Sequence, residues 1–379
     1  MSKQRKLFLT SYSLSPLEKI PSCGILCEQG RIIGIGGASA FSMMEDGLEV
    51  IDLTDSYALP GFIDSHIHGI NDADAASADQ IPDTLENISG QLVRHGVTTF
   101  CPTLSSRSPD AMLKIISAIV SQIEKGVSGA DPIGIHLEGP FINKTKRGAM
   151  DSDAVFEQID FGYARELLEV GKGRIKLQTF APELKDAPKL VELMMEYGAI
   201  PSMGHSAASG EEALQCIDAG ALRCTYVFNG MKQLYHRESS LTSMALIDDR
   251  VSVEMICDGL HLHPSFVDLV TRCKKNDKII GISNAVVGSG PIVVNEDGTI
   301  TGATMTLEHS WRHLMSYAAM EPSLAAQCFT KNPALNLGLY TRGELLPGRR
   351  ADITFFDCRT NQVRATVIKG EIVYRAGQQ

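Results

Sequence analysis

Two histidines separated by one residue, His66 and His68, follow the apolar run Ala58-Leu-Pro-Gly-Phe-Ile-Asp64, and a glycine comes directly after them. Alternate side chains of an extended strand point to the same face, so both imidazoles can reach one ion. Three further apolar runs end in polar residues: His136-Leu-Glu138, Gly204-His205-Ser206 and Asp258-Gly-Leu-His261. Imidazole nitrogen with carboxylate oxygen is a donor set for Zn²⁺ or a similar divalent cation. An HxH pair by itself more often marks structural histidines near a strand end. Glu138 alone reads as a salt bridge on a rim, and His205 as a hydrogen-bonded core histidine. A glutamate and a third histidine at other strand ends turn the reading toward a metal site. His95, His309 and His313 fall on predicted helices and read as surface or packing residues, and His263, beside Pro264, carries no signal.

These residues need a frame that brings distant strand ends together. Eight short apolar runs begin near Ala58, Val97, Ile133, Ile175, Ile200, Leu222, Val251 and Lys278, and amphipathic stretches separate them. After Ser108-Pro109, a predicted N-cap and first helical residue, Met112, Ile115, Ile116, Ile119, Val120 and Ile123 make one apolar stripe. Gly96, Gly198 and Gly220 stand where helices would stop. This rhythm predicts an α/β fold, a (β/α)8 TIM barrel whose polar strand ends gather at one mouth. An open doubly wound sheet would need a phosphate-binding glycine fingerprint after an early strand, and the sequence has none.

Both chain ends read differently. Ile25 to Ile33 and Ala365 to Tyr374 are hairpin-like, turning at Gly30 and Gly370 between β-branched runs. Neither hairpin has enough partners alone, so the ends are expected to build one small β-sandwich domain from residues 1–57 and 345–379 around a barrel of residues 58–344. A third hairpin is expected from Pro291 to Ile300, turning at Asp297-Gly298.

Composition narrows the function classes. The chain has 379 residues, 44% hydrophobic and 21% charged, enough for a large catalytic domain and a smaller one. A net charge of −10 with scattered basic residues argues against a nucleic-acid or anionic-membrane surface, so an anionic ligand must be met by a few local cations. No apolar run has the length of a membrane span or a secretory core, which makes a cytoplasmic location the expectation. Nine cysteines without a CxxC pair fit reduced, mostly buried thiols better than a disulfide framework.

Taken together, Leu59-Pro-Gly-Phe-Ile-Asp64 with its HxHG, His136-Leu-Glu-Gly-Pro-Phe-Ile142, Gly204-His-Ser-Ala207, Phe228-Asn-Gly-Met231, Asp258-Gly-Leu-His261, Asn332-Pro-Ala334 and Leu346-Pro-Gly-Arg-Arg-Ala-Asp352 carry a resemblance. Over essentially its whole length the chain resembles the N-acetylglucosamine-6-phosphate deacetylases of the amidohydrolase superfamily. The resemblance implies a barrel with a β domain, a homodimer, and a divalent metal, zinc by its ligand types, that activates water against the acetamide of a phosphorylated amino sugar. It puts Glu138 and His205 in metal-ligand positions and likens His66 and His68 to the pair that can hold a second ion. Asn229 and Gly230 then lie in the loop that meets the sugar phosphate. Arg237 matches an arginine that reaches the neighbouring subunit's phosphate, and His261 stands where the family contacts substrate. A guanidinium on phosphate is also how a chain of negative charge can hold an anion.

Three positions depart from that pattern. Tyr226 replaces a metal-ligand histidine, Met150 a substrate-contacting histidine, and Asn284 the aspartate that serves as general acid and base. An amide cannot take a proton from water or return one to a leaving amine, work typically worth 10²–10⁴ in rate. Asp277 precedes the eighth strand and lies roughly 20 Å away at the opposite end of the barrel, at about 3.3 Å per residue. The readings left open are a deacetylase with altered catalytic positions and a homologue that binds a phosphorylated sugar or a partner without hydrolysis. A dihydroorotase-like enzyme is disfavoured, because the fourth strand ends Thr179-Phe-Ala-Pro-Glu183 with no lysine for a carboxylated bridge.

Overall fold

All eight apolar runs form parallel strands, in chain order Phe62–Ile67, Val97–Ser105, Ile135–Glu138, Ile175–Phe180, Ile200–Met203, Arg223–Cys224, Ser252–Ile256 and Ile279–Ile282. The structure, a computed structural model, describes residues 5–14, 19–41, 47–295 and 298–377. Each strand pairs with its sequence neighbour. The first and eighth meet just beyond their ends, where Asn284 N–H donates to His66 C=O at 3.0 Å and His68 N–H to Ala285 C=O at 2.8 Å. The predicted barrel is therefore present, and its ring closes at the residues singled out for chemistry.

Helix Pro109–Lys125 shows why the connecting stretches are helical. Pro109 opens it with a φ already suited to a helix, and the predicted stripe is buried from Met112 to Val120, with Ile123 half-buried. Ser108 is the N-cap by position, yet its side chain makes no cap hydrogen bond. Gln122 is buried beside the stripe because its amide bonds Leu85 N–H and the carbonyls of Ala78 and Ile81. Among the described residues no helix is long and apolar enough to cross a membrane.

The chain ends share one seven-stranded sheet. Strand Leu48–Pro60 is its centre: one edge pairs in parallel with Arg5–Leu14, from Leu48 to Leu53 and again at Tyr57 and Ala58, and the other pairs antiparallel with Ile353–Asp357 from Ser56 to Pro60. The sheet thereby folds over its own core of Phe8, Ile25, Ile51, Ile353, Phe355 and Val367, with the Phe8 and Phe355 rings 5.7 Å apart. Both terminal hairpins turn as expected, at Gly30 with φ 74° and Gly370 with φ 78°. The hairpin of Ile292–Val294 and Ile300–Ala303 also forms; of its expected turn, Asp297 lies outside the described residues and Gly298 has φ 83°. Cys273 and Cys358 are exposed and the other seven cysteines are buried, with no disulfide.

Sheet and barrel meet over an aromatic cluster in which Phe356 lies 5.8 Å from Phe62 and 5.3 Å from Trp311. Charges reinforce the junction. Asp131, beside the second barrel strand, accepts from Arg342 and Arg350 at 2.6 Å each, and Arg350 also holds Asp352 at the entry to strand Ile353–Asp357. Burial raises the Asp131 carboxyl, but Arg342 and Arg350 outweigh it and hold the group below its ordinary value of 3.8. A depressed folded pKa gives stability that is present above the unfolded value and is lost as pH falls through the folded one. Asp131→Asn should therefore lower the unfolding midpoint more at pH 7 than at pH 3, below the ordinary value of 3.8, as read by chemical denaturation at the two pH values. An equal effect at both would show that the carboxylate charge is not what ties the sheet to the barrel.

Candidate active site

The site begins with residues that end strands. Glu138 closes the third strand, His205 follows the fifth by one glycine, and Tyr226 and Asn284 each stand two residues past the sixth and eighth. Three of these have left-handed backbone, His205 with φ 47°, Tyr226 with φ 21° and Asn284 with φ 49°. Such conformations cost about 1–3 kcal/mol each and persist where surrounding packing fixes them. The turn brings each side chain over the mouth of the barrel. Gly230, with φ 57°, is needed there because a Cβ would approach His205 Nδ1 to 3.0 Å.

Glu138 is the hub. Its Oε1 lies 3.4 Å from His66 Nε2 and 3.4 Å from His205 Nε2, and its Oε2 lies 3.8 Å from His68 Nε2. Ser105 Oγ donates to Oε2 at 2.8 Å and the Tyr226 hydroxyl donates to Oε1 at 2.6 Å. Burial works against the Glu138 charge, yet His205 and His66 hold the carboxyl well below the usual range. The phenol of Tyr226 is pushed well above 10 by burial first and by Glu138 second, so it remains a neutral O–H.

Ligand atoms of His66, His68 and Glu138 all lie within 4.8 Å of one another. His66 donates from Nδ1 to Glu254 at 3.0 Å, and its Nε2 is buried, without a hydrogen-bond partner, and faces Glu138. A ring nitrogen that faces a carboxylate oxygen in this way needs a proton or a cation between the two. Asn284 Oδ1 is likewise buried and unpartnered. Two imidazoles, a carboxylate and an orphaned amide oxygen fit a divalent cation. His205 stands outside this trio. Its Nδ1 donates to Lys146 C=O at 2.6 Å, and its Nε2 contacts the oxygen of the Tyr226 hydroxyl, whose single proton goes to Glu138. Sequence reasoning grouped His205 with the metal-binding residues; here the tyrosine at a ligand position occupies it.

A cavity of about 880 Å³ opens over the trio. His68, Glu138, Met150, His205, Tyr226, Asn229, Gly230, His261 and Asn284 all line it. His261 is fixed there by Asp258, which accepts from its Nδ1 at 2.6 Å and from its backbone N–H at 2.8 Å. Arg237 does not line the cavity; it sits on the exposed turn Tyr235–Glu238 and contacts His236. Sequence reasoning missed Glu254 and Arg223, which lie beneath His66 and are both fully buried. Their only signal was a charge interrupting an otherwise apolar strand.

The profile of the amidohydrolase family matches residues 57–373. The chain belongs to the amidohydrolase family. It is 27% identical over 316 residues to N-acetylgalactosamine-6-phosphate deacetylase of Escherichia coli O157:H7, covering 79% of this chain and 83% of that one. It is 29% identical over 346 residues to N-acetylglucosamine-6-phosphate deacetylase of Bacillus subtilis, covering 84% and 85%. Among solved structures, a mutant N-acetyl-D-glucosamine-6-phosphate deacetylase of Mycobacterium smegmatis, in complex with N-acetyl-D-glucosamine-6-phosphate, superposes with a TM-score of 0.89 at 26% identity. That match covers 98% of this chain and 99% of the other. The amidohydrolase barrel with its β domain is thus the fold of this protein, and the His66–His68–Glu138 trio lies at the mouth where barrel enzymes place their chemistry.

Proposed function

We propose that this chain deacetylates an N-acetylated amino-sugar 6-phosphate, converting N-acetylglucosamine-6-phosphate or an epimer to the free amine and acetate in amino-sugar catabolism. The observation that carries the reading is the His66–His68–Glu138 trio, of which His68 and Glu138 line the cavity, with the unpartnered imidazole nitrogen of buried His66 facing the carboxylate. Zinc suits these donors, and a bound divalent ion supplies Lewis acidity toward the carbonyl and the attacking water. His66, His68 and Glu138 would hold such an ion, and Tyr226 donates to Glu138 and fixes its carboxylate beside the two imidazoles. Asn229, Gly230, His261 and Met150 line the part of the cavity in which the sugar phosphate is held. Arg237 serves a neighbouring subunit's substrate in a homodimer, a role its exposed turn permits, with Leu234 and Tyr235 exposed beside it. Residues 58–344 form the catalytic unit of a cytoplasmic enzyme that engages neither nucleic acid nor membrane.

Metal analysis of protein purified without chelators, beside acetate release from N-acetylglucosamine and N-acetylgalactosamine 6-phosphates, tests this. The expected result is one divalent ion per chain, lost together with acetate release in His66→Ala and Glu138→Ala. Tight binding of the sugar phosphates with no acetate release above a metal-free control would replace the enzyme with a binding protein.

A further inference from the structure

Arg223 and Glu254 form an ion pair deep in the barrel, directly beneath the metal-binding trio. Both side chains are wholly buried. Glu254 Oε1 accepts from Arg223 Nε at 2.9 Å and from Nη2 at 2.6 Å. Its other oxygen accepts from His66 Nδ1 at 3.0 Å and from Tyr226 N–H at 3.3 Å. Arg223 is itself held by Ser65 Oγ at 2.6 Å and by the Asn336 side chain. A column of polar contacts thus runs from Asn336, through Arg223, Glu254 and His66, to Glu138.

We infer that Glu254, fixed in orientation by Arg223, is the positioning residue that keeps the proton of His66 on Nδ1 and so leaves Nε2 free to bind a cation. This rests on the cation reading proposed above. The carboxylate offers only acceptors, so the ring nitrogen facing it must carry a proton. Glu138 likewise offers only acceptors to Nε2, so that nitrogen carries a proton until a cation displaces it, and a proton held on Nδ1 makes Nε2 the nitrogen that a metal can take. Arg223 gives the arrangement its direction. Its two charge-assisted bonds fix one carboxylate oxygen, and any group placed at residue 254 must present an acceptor to that guanidinium.

Glu254→Gln turns this constraint into a test. With Arg223 in place, the amide oxygen must face the guanidinium, and the amide NH₂ then faces His66. A donor opposite Nδ1 drives the ring proton to Nε2 and blocks the ligand position. The double variant Arg223→Met with Glu254→Gln removes the demand, so the amide can turn its oxygen to His66 and restore the original proton placement. Zinc affinity, measured by competition with a chromophoric chelator, should fall roughly 10–100-fold in E254Q, the usual scale for loss of such a partner, and should largely recover in the double variant. Imidazole ¹⁵N spectra of the metal-free proteins should show His66 Nδ1 protonated in wild type, bare in E254Q and protonated again in the double variant. Circular dichroism confirms that each variant is folded.

An equal loss of zinc affinity in the single and double variants, with no change of protonated nitrogen, would reduce the pair to a packing role and overturn the inference. Wild-type protein that takes up no zinc, with the ¹⁵N spectra still following the stated order, would overturn the cation reading and uphold the positioning role.

Discussion

Replacing Tyr226 with His and Asn284 with Asp together should raise deacetylation of the amino-sugar phosphate by roughly 10²–10⁴-fold, the range that positioned proton transfer typically supplies. Each single change should give far less. Tyr226→His removes the hydroxyl that now contacts His205 Nε2 and sets a fourth imidazole beside Glu138, but without a carboxylate at residue 284 no group there moves the proton. Asn284→Asp supplies that carboxylate at a position already lining the cavity, but leaves His205 engaged by the phenol. Groups that act as a unit show strongly non-additive effects, so the pair should exceed the product of the singles. Steady-state acetate release from the four proteins decides the matter. Turnover by the wild type at rates unaffected by Asn284→Ala would place the proton carrier elsewhere in the cavity.

Arg223→Ala should cost about 3–5 kcal/mol of stability, the usual consequence of stripping one partner from a buried ion pair. The reason lies in what remains. Glu254 would keep a charge with no solvent near it, and His66 and Tyr226 N–H, which donate only to its other oxygen, cannot replace the guanidinium. Burial disfavours the Glu254 charge, but Arg223 and then His66 override it and hold the carboxyl down at about 2. Denaturant unfolding monitored by far-UV circular dichroism measures the loss. Replacing both residues by well-packed apolar ones should be much milder than Arg223→Ala, since no bare charge is then left behind. If the double replacement were as damaging as the single, volume and not charge would be the quantity that matters.

The frame was legible because a barrel repeats one simple pattern eight times. Apolar runs such as Val97 to Cys101 and Ile175 to Thr179 are buried on both faces and read continuously, and residues just past such runs must converge at one rim. That logic located His66, His68, Glu138 and His205 without any pairwise information, whereas Tyr226 and Asn284 were singled out by the family resemblance. It did not reveal which ligands act together. His205 and Tyr226 are bonded to each other through a contact set by backbone turns, with φ 47° and 21°, that no hydrophobic period encodes. Arg223 and Glu254 were invisible for a related reason: each is one charge in an apolar strand, and its partner lies 31 residues away. Arg237 was placed by resemblance alone, and its exposed turn shows why periodicity had nothing to say about it.

The folded-over sheet also has a history in time. Strand Leu48–Pro60 is completed by Ile353–Asp357, which is made about 290 residues later. At about 5–20 residues per second on the ribosome, that partner emerges roughly 15 to 60 s after the strand it must join. Throughout that interval the nascent chain carries an unpaired edge at Ser56 to Pro60, where Tyr57, Ala58 and Leu59 are side chains that end up buried. An open apolar edge is a template for pairing with another chain. On a crowded polysome this segment therefore offers neighbouring nascent copies an edge to pair with until Ile353–Asp357 covers it.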